Sequence, residues 1–178
     1  MTDTKSINHL SFFTATILNW YRLLEDDKYK ELIMNSLKYL VEKDKIILSA
    51  FVIMPNHIHL VWKINNKLKL QDIQRDFLKF TAQSIKKDLL KNNTNILEKF
   101  YVGLKDREYQ FWQRNPLTIE LFTEKVTKQK IDYIHYNPVN EKWKLCEIPQ
   151  EYKYSSAKFY YKENNIWDFI TPYNDVYN

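Results

Sequence analysis

The chain has 178 residues, enough for one domain with a substantial core, and carries a formal charge of +5 with a pI near 9.0. Its single cysteine, Cys146, excludes an intrachain disulfide and a thiolate-rich zinc centre. No 18-residue apolar run offers a membrane span and the start, Met1–Asn8, is polar rather than signal-like, so a cytoplasmic protein is expected. The basic charge permits a polyanionic partner without naming one. The 13 Tyr, 10 Phe and 5 Trp supply core volume and, where exposed, stacking surfaces for unpaired bases.

His9–Trp20 is aromatic and β-branched and predicts a strand. Asp26–Glu42 places Tyr29, Leu32, Ile33, Leu37 and Leu40 at helical spacing. Lys45–Met54 is almost continuously apolar, as a central strand covered on both faces should be. Pro55-Asn56 breaks it, and His57–Ile64 reads as its hairpin partner. Leu68–Lys91 is a second helix with a buried stripe of Leu70, Ile73, Phe77 and Phe80, widened by Leu78 and Ile85. Asn92–Asn95 reads as a loop, and Tyr109–Trp112 and Thr118–Phe122 as short strands. A third helix runs from Thr123, its N-cap, to about Asn137, where Pro138 ends it. A short helix near Ser155–Lys162 and a ten-residue tail complete the chain.

Strand-helix-strand-strand-helix-strand is the split βαβ order. It predicts an α+β fold: a ferredoxin-like antiparallel sheet with helices on one face, to which the third helix is added. The whole chain, residues 1–178, is read as a single domain with a core of about 9–142 and an extension over 143–178.

The chemistry centres on His57-Ile58-His59. Alternation along a strand turns both imidazoles to one face, about 6–7 Å apart at their bases, within reach of one divalent ion. Burying two histidines beside Val, Ile and Phe is costly unless something satisfies their nitrogens. On the third helix Tyr133 and Asn137 lie one turn apart on one face, joined by Lys130 three residues before, while Ile131 and Ile134 point toward the core. The Asn137 amide oxygen suits a hard ion such as Mg²⁺ or Mn²⁺, and two imidazoles favour Mn²⁺. His135, about 200° around the helix from Tyr133, is read as a surface or packing residue rather than a ligand. Arg75, Lys79 and Lys86 form a basic stripe on the second helix, and Asp72 and Asp76 close beside it favour reading it as an ordinary solvated face. With Arg107, Arg114 and Lys130 they are the candidate phosphate contacts, and Trp112 and Tyr109 the candidate base platforms. Lys130 reads equally well as a solvated charge.

The succession MPNHIHLVW (Met54–Trp62), EYQFWQ (Glu108–Gln113), KIDYIHYNPV (Lys130–Val139) and EYKYSSAKFY (Glu151–Tyr160) resembles the single-tyrosine HUH transposases of the IS200-like group, in particular the REP-associated tyrosine transposases. The resemblance runs from about Phe12 to Tyr161. It implies that His57 and His59 are the metal-binding pair, that Tyr133 is the catalytic nucleophile carried by the added helix, and that Asn137 is a third metal ligand. It implies an enzyme that cuts single-stranded DNA near hairpin or palindromic elements, is joined to the 5′ phosphate, and acts as monomer or homodimer. A hairpin-binding protein of the same fold that does not cleave is the alternative. The chain departs from relatives at Asn140–Trp143, where a Gly-containing turn is common, and at Tyr136.

Overall fold

The structure is a computed structural model that describes residues 9–162 and 166–177; the polar stretch Met1–Asn8 lies outside the described residues. Four strands form an antiparallel sheet: β1 (Leu10–Thr16), β2 (Ile46–Ile53), β3 (His57–Ile64) and, after the short hairpin strands β4 (Tyr101–Leu104) and β5 (Arg107–Tyr109), β6 (Leu117–Leu121). The order across the sheet is β2-β3-β1-β6, the ferredoxin-like arrangement expected from the sequence of elements. β3 therefore lies inside the sheet, paired with β1 and β2, and its histidines are held from both sides by backbone ladders.

The sheet divides the interior into two layers. Phe13 and Ala15 of β1 with Ile17 just after it, Leu48, Phe51 and Ile53 of β2, and Ile58, Leu60 and Trp62 of β3 face α1 (Asp27–Glu42) and α2 (Leu70–Asn92). A bulge between Leu48 and Ala50 lets Leu48 and Phe51 share that face despite their odd spacing. Each such fully buried Ile, Leu or Phe side chain contributes about 1.5–3 kcal/mol. The opposite layer joins Leu10, Phe12, Ala50, Val52, Val61 and Leu121 to Ile131 and Ile134 of α4 (Glu124–Tyr136). Two helices thus pack on one face and the added helix crosses the other.

Several expectations need correction. Phe80 is 55% exposed, whereas Thr81 is fully buried, because the buried stripe of α2 advances by fours through Ile73, Phe77, Thr81, Ile85 and Leu89. The expected loop at Asn92–Asn95 contains the start of a short helix, α3 (Thr94–Glu98), capped by the Asn93 side chain on the Ile96 amide. The first strand ends at Thr16, and Leu18–Trp20 is a tight turn with Asn19 and Trp20 both at positive φ. The strand expected at Tyr109–Trp112 is instead β5, ending at Tyr109, followed by a single bridge between Ile17 and Trp112.

The carboxy-terminal residues are no loose tail. Ile53 and Ser156 amides donate to Tyr154 and Phe51 carbonyls and the Thr171 amide to the Leu48 carbonyl, so this segment covers the β2 edge. The Tyr177 hydroxyl reaches the Thr127 hydroxyl at 2.6 Å and donates to the Leu121 carbonyl at 3.1 Å. The short helix α5 (Ala157–Lys162) follows the segment on this edge. Among the described residues, no helix is long and apolar enough to cross a membrane.

Candidate active site

His57 and His59 project from β3 toward α4, with ring centroids 4.7 Å apart. His59 sits opposite Thr14 of β1 and Val52 of β2, near the middle of the sheet, and is 5% exposed. Its Nδ1 lies 2.7 Å from the Thr14 hydroxyl, and Phe12 stacks on its ring at 5.2 Å. Its Nε2 is buried and has no hydrogen-bond partner among the described residues. A nitrogen left so is costly, and this one faces the layer that α4 covers. His57, nearer the strand's start, has Nδ1 2.7 Å from the Asn56 amide oxygen and its ring is tilted at 47° to that of Trp143, centroid to centroid 5.8 Å.

Burial holds both imidazoles neutral: it lowers His57 to about 4, helped by the Lys142 charge, and His59 to about 3, helped by His57 and Lys130. Neutral imidazole is the form that binds a metal.

α4 brings the second half. Thr123 caps its first turn by accepting from the Val126 amide at 3.2 Å, and Ile131 and Ile134 lock its inner stripe onto the sheet. That rotation leaves Tyr133, 53% exposed, with its ring 5.4 Å from His59 and 6.1 Å from Phe12. One turn on, Asn137 is buried beside the His57 imidazole. The Lys130 ammonium lies 4.9 Å from the Phe12 ring centroid and 5.8 Å from that of Tyr133. His57, His59, Tyr133, Asn137 and Lys130 therefore converge. His135 does not: it is buried behind them, its Nε2 2.8 Å from the Ser156 hydroxyl, a packing residue as expected.

Phe12, Thr14, Asn56 and Trp143 belong to this neighbourhood and escaped the sequence reading. For Thr14 and Phe12 the signal was the β1–β3 register, which pairs Thr14 with His59 and is invisible without the fold.

The basic candidates divide. Arg75, Lys79, Arg107 and Arg114 line one groove of about 540 Å³ between α2 and the segment that follows β5. Arg75 is already paired with Asp72 and Asp76 at 2.8 and 2.9 Å, and Asp106 engages Arg107 and Arg114 at 2.7 and 3.7 Å. Lys86 pairs with Glu108 at 3.6 Å and rides over the Tyr109 ring. Trp112 is no base platform. It is 6% exposed, with its Nε1 donating to the Thr81 hydroxyl at 3.0 Å, and its ring packs in the core beneath α2. Gln74 of α2 bonds Thr118 of β6, so this groove opens on the α2 side of the sheet, across the β6 edge from the imidazoles.

A sheet that presents paired imidazoles to a tyrosine on a crossing helix is an arrangement suited to transfer chemistry at phosphate. Residues 13–115 match the family model "Transposase IS200 like", and the chain belongs to the IS200-like transposase family. The matched residues include the histidine pair and end before α4. Among solved structures, the chain is similar to a REP-associated tyrosine transposase bound to a REP hairpin. Identity is 19%, over 89% of this chain and 84% of that one, with a TM-score of 0.61, and the two share a fold. A Deinococcus radiodurans protein described as a candidate transposase aligns more loosely, at 12% identity over 75% of this chain and 95% of its own, with a TM-score of 0.48. No protein of curated function matches the sequence.

Proposed function

We propose that this transposase is a metal-dependent single-stranded DNA endonuclease and strand transferase that cleaves beside hairpin elements through a 5′-phosphotyrosine on Tyr133. The observation that carries the reading is the juxtaposition of the Tyr133 ring with His59, 5.4 Å apart between centroids, on a helix whose rotation is fixed by Ile131 and Ile134. The alternative, a hairpin binder that does not cleave, has no use for a buried imidazole nitrogen facing an exposed phenol.

The donor set fits a divalent ion, Mg²⁺ or Mn²⁺. Two neutral imidazoles stand together, His59 with a buried and unpartnered Nε2 and His57 beside the Asn137 amide. Among the described residues no group of three or more His, Cys, Asp and Glu side chains converges, so of those residue types only the two imidazoles would serve as ligands here. His57, His59 and Asn137 would hold the ion, which when bound polarises a non-bridging phosphate oxygen and offsets charge on the leaving oxygen.

The chain's own residues do the rest. The Tyr133 hydroxyl attacks phosphorus, forming the Oη–P bond as the bond from phosphorus to the 3′ oxygen breaks. Its half-exposed position lets the phenolic proton pass to solvent, and the 3′ oxygen leaves as a hydroxyl by taking a proton from solvent. Lys130, over the Tyr133 ring, stabilises the developing phenolate charge and the phosphate. The tyrosyl phosphodiester keeps the energy of the bond it replaces, so a 3′ hydroxyl can later attack it and rejoin strands without ATP. Hairpin DNA is the substrate that the similar REP-associated enzyme suggests, and the groove lined by Arg75, Lys79, Arg107 and Arg114 is a candidate surface to grip its backbone.

The test is an end-labelled hairpin oligonucleotide incubated with protein and Mn²⁺. A covalent adduct that a chelator and Tyr133→Phe each abolish supports the reading. An adduct that survives Tyr133→Phe refutes it.

A further inference from the structure

We propose that Asn56 is a positioning residue that fixes His57 in the tautomer whose Nε2 lone pair is free to bind a metal. The inference rests on the metal site proposed above but concerns a different residue and a proton rather than the ion.

The argument begins with the amide. Asn56 donates through Nδ2 to the Trp20 carbonyl at 3.1 Å, and its Oδ1 lies 2.7 Å from His57 Nδ1. A carbonyl oxygen only accepts, so it demands the NH₂ side of the amide and leaves Oδ1 turned to the imidazole. Oδ1 also only accepts, so His57 Nδ1 must carry the proton. In a neutral ring the proton on Nδ1 leaves Nε2 bare. The hydrogen bond to the Trp20 carbonyl thereby favours Nε2 as the ligand nitrogen, and the other side-chain hydrogen-bond partner of His57, the Asn137 amide, is itself a proposed ligand of the same ion. No such logic governs His59, whose Nδ1 partner is the Thr14 hydroxyl, a group that can donate or accept.

The surrounding backbone is built to hold that carbonyl in place. Asn19 and Trp20 both adopt the left-handed region, at φ 54° and 52°, a conformation unusual for a bulky side chain such as Trp. The turn is tied down by the Trp20 amide on the Ile17 carbonyl at 2.9 Å and the Leu18 amide on the Phe111 carbonyl at 2.7 Å. The Ile17 amide in turn donates to the Asn56 carbonyl at 2.8 Å, and the Leu24 amide to the Pro55 carbonyl at 2.9 Å. Asn56 is thus gripped at its backbone and at its side chain by the same strained segment. The Trp20 side chain is 63% exposed, so packing of the indole does not account for the strain.

Two variants and two readouts test this. In ¹⁵N-labelled, metal-free protein at pH 7.5, with His57 signals assigned by their loss in His57→Gln, wild type should show a protonated Nδ1 and a bare Nε2. Asn56→Leu should shift His57 toward the other tautomer and weaken Mn²⁺ binding, followed by calorimetry, about 10–100-fold. Asn56→Asp keeps an acceptor at Nδ1 and should restore the wild-type tautomer, which holds the test open if the leucine variant folds poorly. A bare Nδ1 in wild type, or an unchanged tautomer in Asn56→Leu, overturns the proposal. Failure of wild type to bind Mn²⁺ overturns the metal reading instead, and the metal-free spectra then decide the role of Asn56 alone.

Discussion

Tyr133 and His59, distant in sequence, stand with their rings 5.4 Å apart because α4 crosses the sheet over β3 with Ile131 and Ile134 as its anchors. The contact is made within one chain. Phe12 touches both rings, stacked on His59 and edge-on to Tyr133, so β1 sets the spacing between the strand and the helix.

Replacing the pair's members should separate binding from chemistry. His59→Ala and His57→Ala should each weaken Mn²⁺ binding by about 100-fold or more, beyond what loss of an outer partner costs. Tyr133→Phe should leave Mn²⁺ affinity within about twofold of wild type while abolishing the DNA adduct. Calorimetry beside an adduct assay checks both.

Acid should destabilise the metal-free fold. His57, His59 and His135 are held by burial at about 4, 3 and 3, against 6.5 when unfolded. Below pH 6.5 the unfolded chain takes up protons that the folded chain refuses. Stability contributed by the neutral rings is thus complete above about 6.5 and falls as pH drops toward the folded values. Each group contributes up to about 1.4 kcal/mol per pH unit in that window. Urea midpoints between pH 7.5 and 5.0 should fall, and His135→Gln should flatten the decline; a curve equally steep in that variant contradicts the assignment to His135.

Trp112 should behave as a core residue. Trp112→Ala should cost about 3–5 kcal/mol in urea unfolding, from lost volume and the lost indole bond to Thr81. Trp112→Phe should lower stability less and leave hairpin affinity of the folded protein unchanged. Selective loss of DNA binding at unchanged stability contradicts the burial.

Salt dependence should sort the basic residues. Where a side chain meets phosphate, replacement by alanine reduces the slope of log affinity against log salt by about 1. Lys79→Ala should show that reduction, because Lys79 lines the groove with Arg107 and Arg114. Arg75→Ala should change the slope less, since Asp72 and Asp76 already share its charge.

Much of this molecule could be read from residue order. β3 was legible to its ends because Pro55-Asn56 bounds it and His57–Ile64 alternates; α4 was legible from Thr123, Pro138 and the isoleucine stripe. The face shared by Lys130, Tyr133 and Asn137 followed from 3.6 residues per turn. What escaped depends on contacts between distant segments. Thr81 looks inferior to Phe80 as a core residue until Trp112 arrives to use its hydroxyl. The terminal tyrosines look like a solvated tail until Tyr177 finds Thr127 and Leu121. Asn56 looks like a strand breaker until the Trp20 carbonyl orients its amide.

The most direct measurement is mass spectrometry of the protein after reaction with a cognate hairpin strand and Mn²⁺, followed by nuclease and trypsin digestion. The account predicts nucleotide phosphate on Tyr133 within the peptide Ile131–Lys142. The same peptide carries Tyr136, comparably exposed at 55% and one turn along the same helix. Modification of Tyr136, or of any residue other than Tyr133, contradicts it.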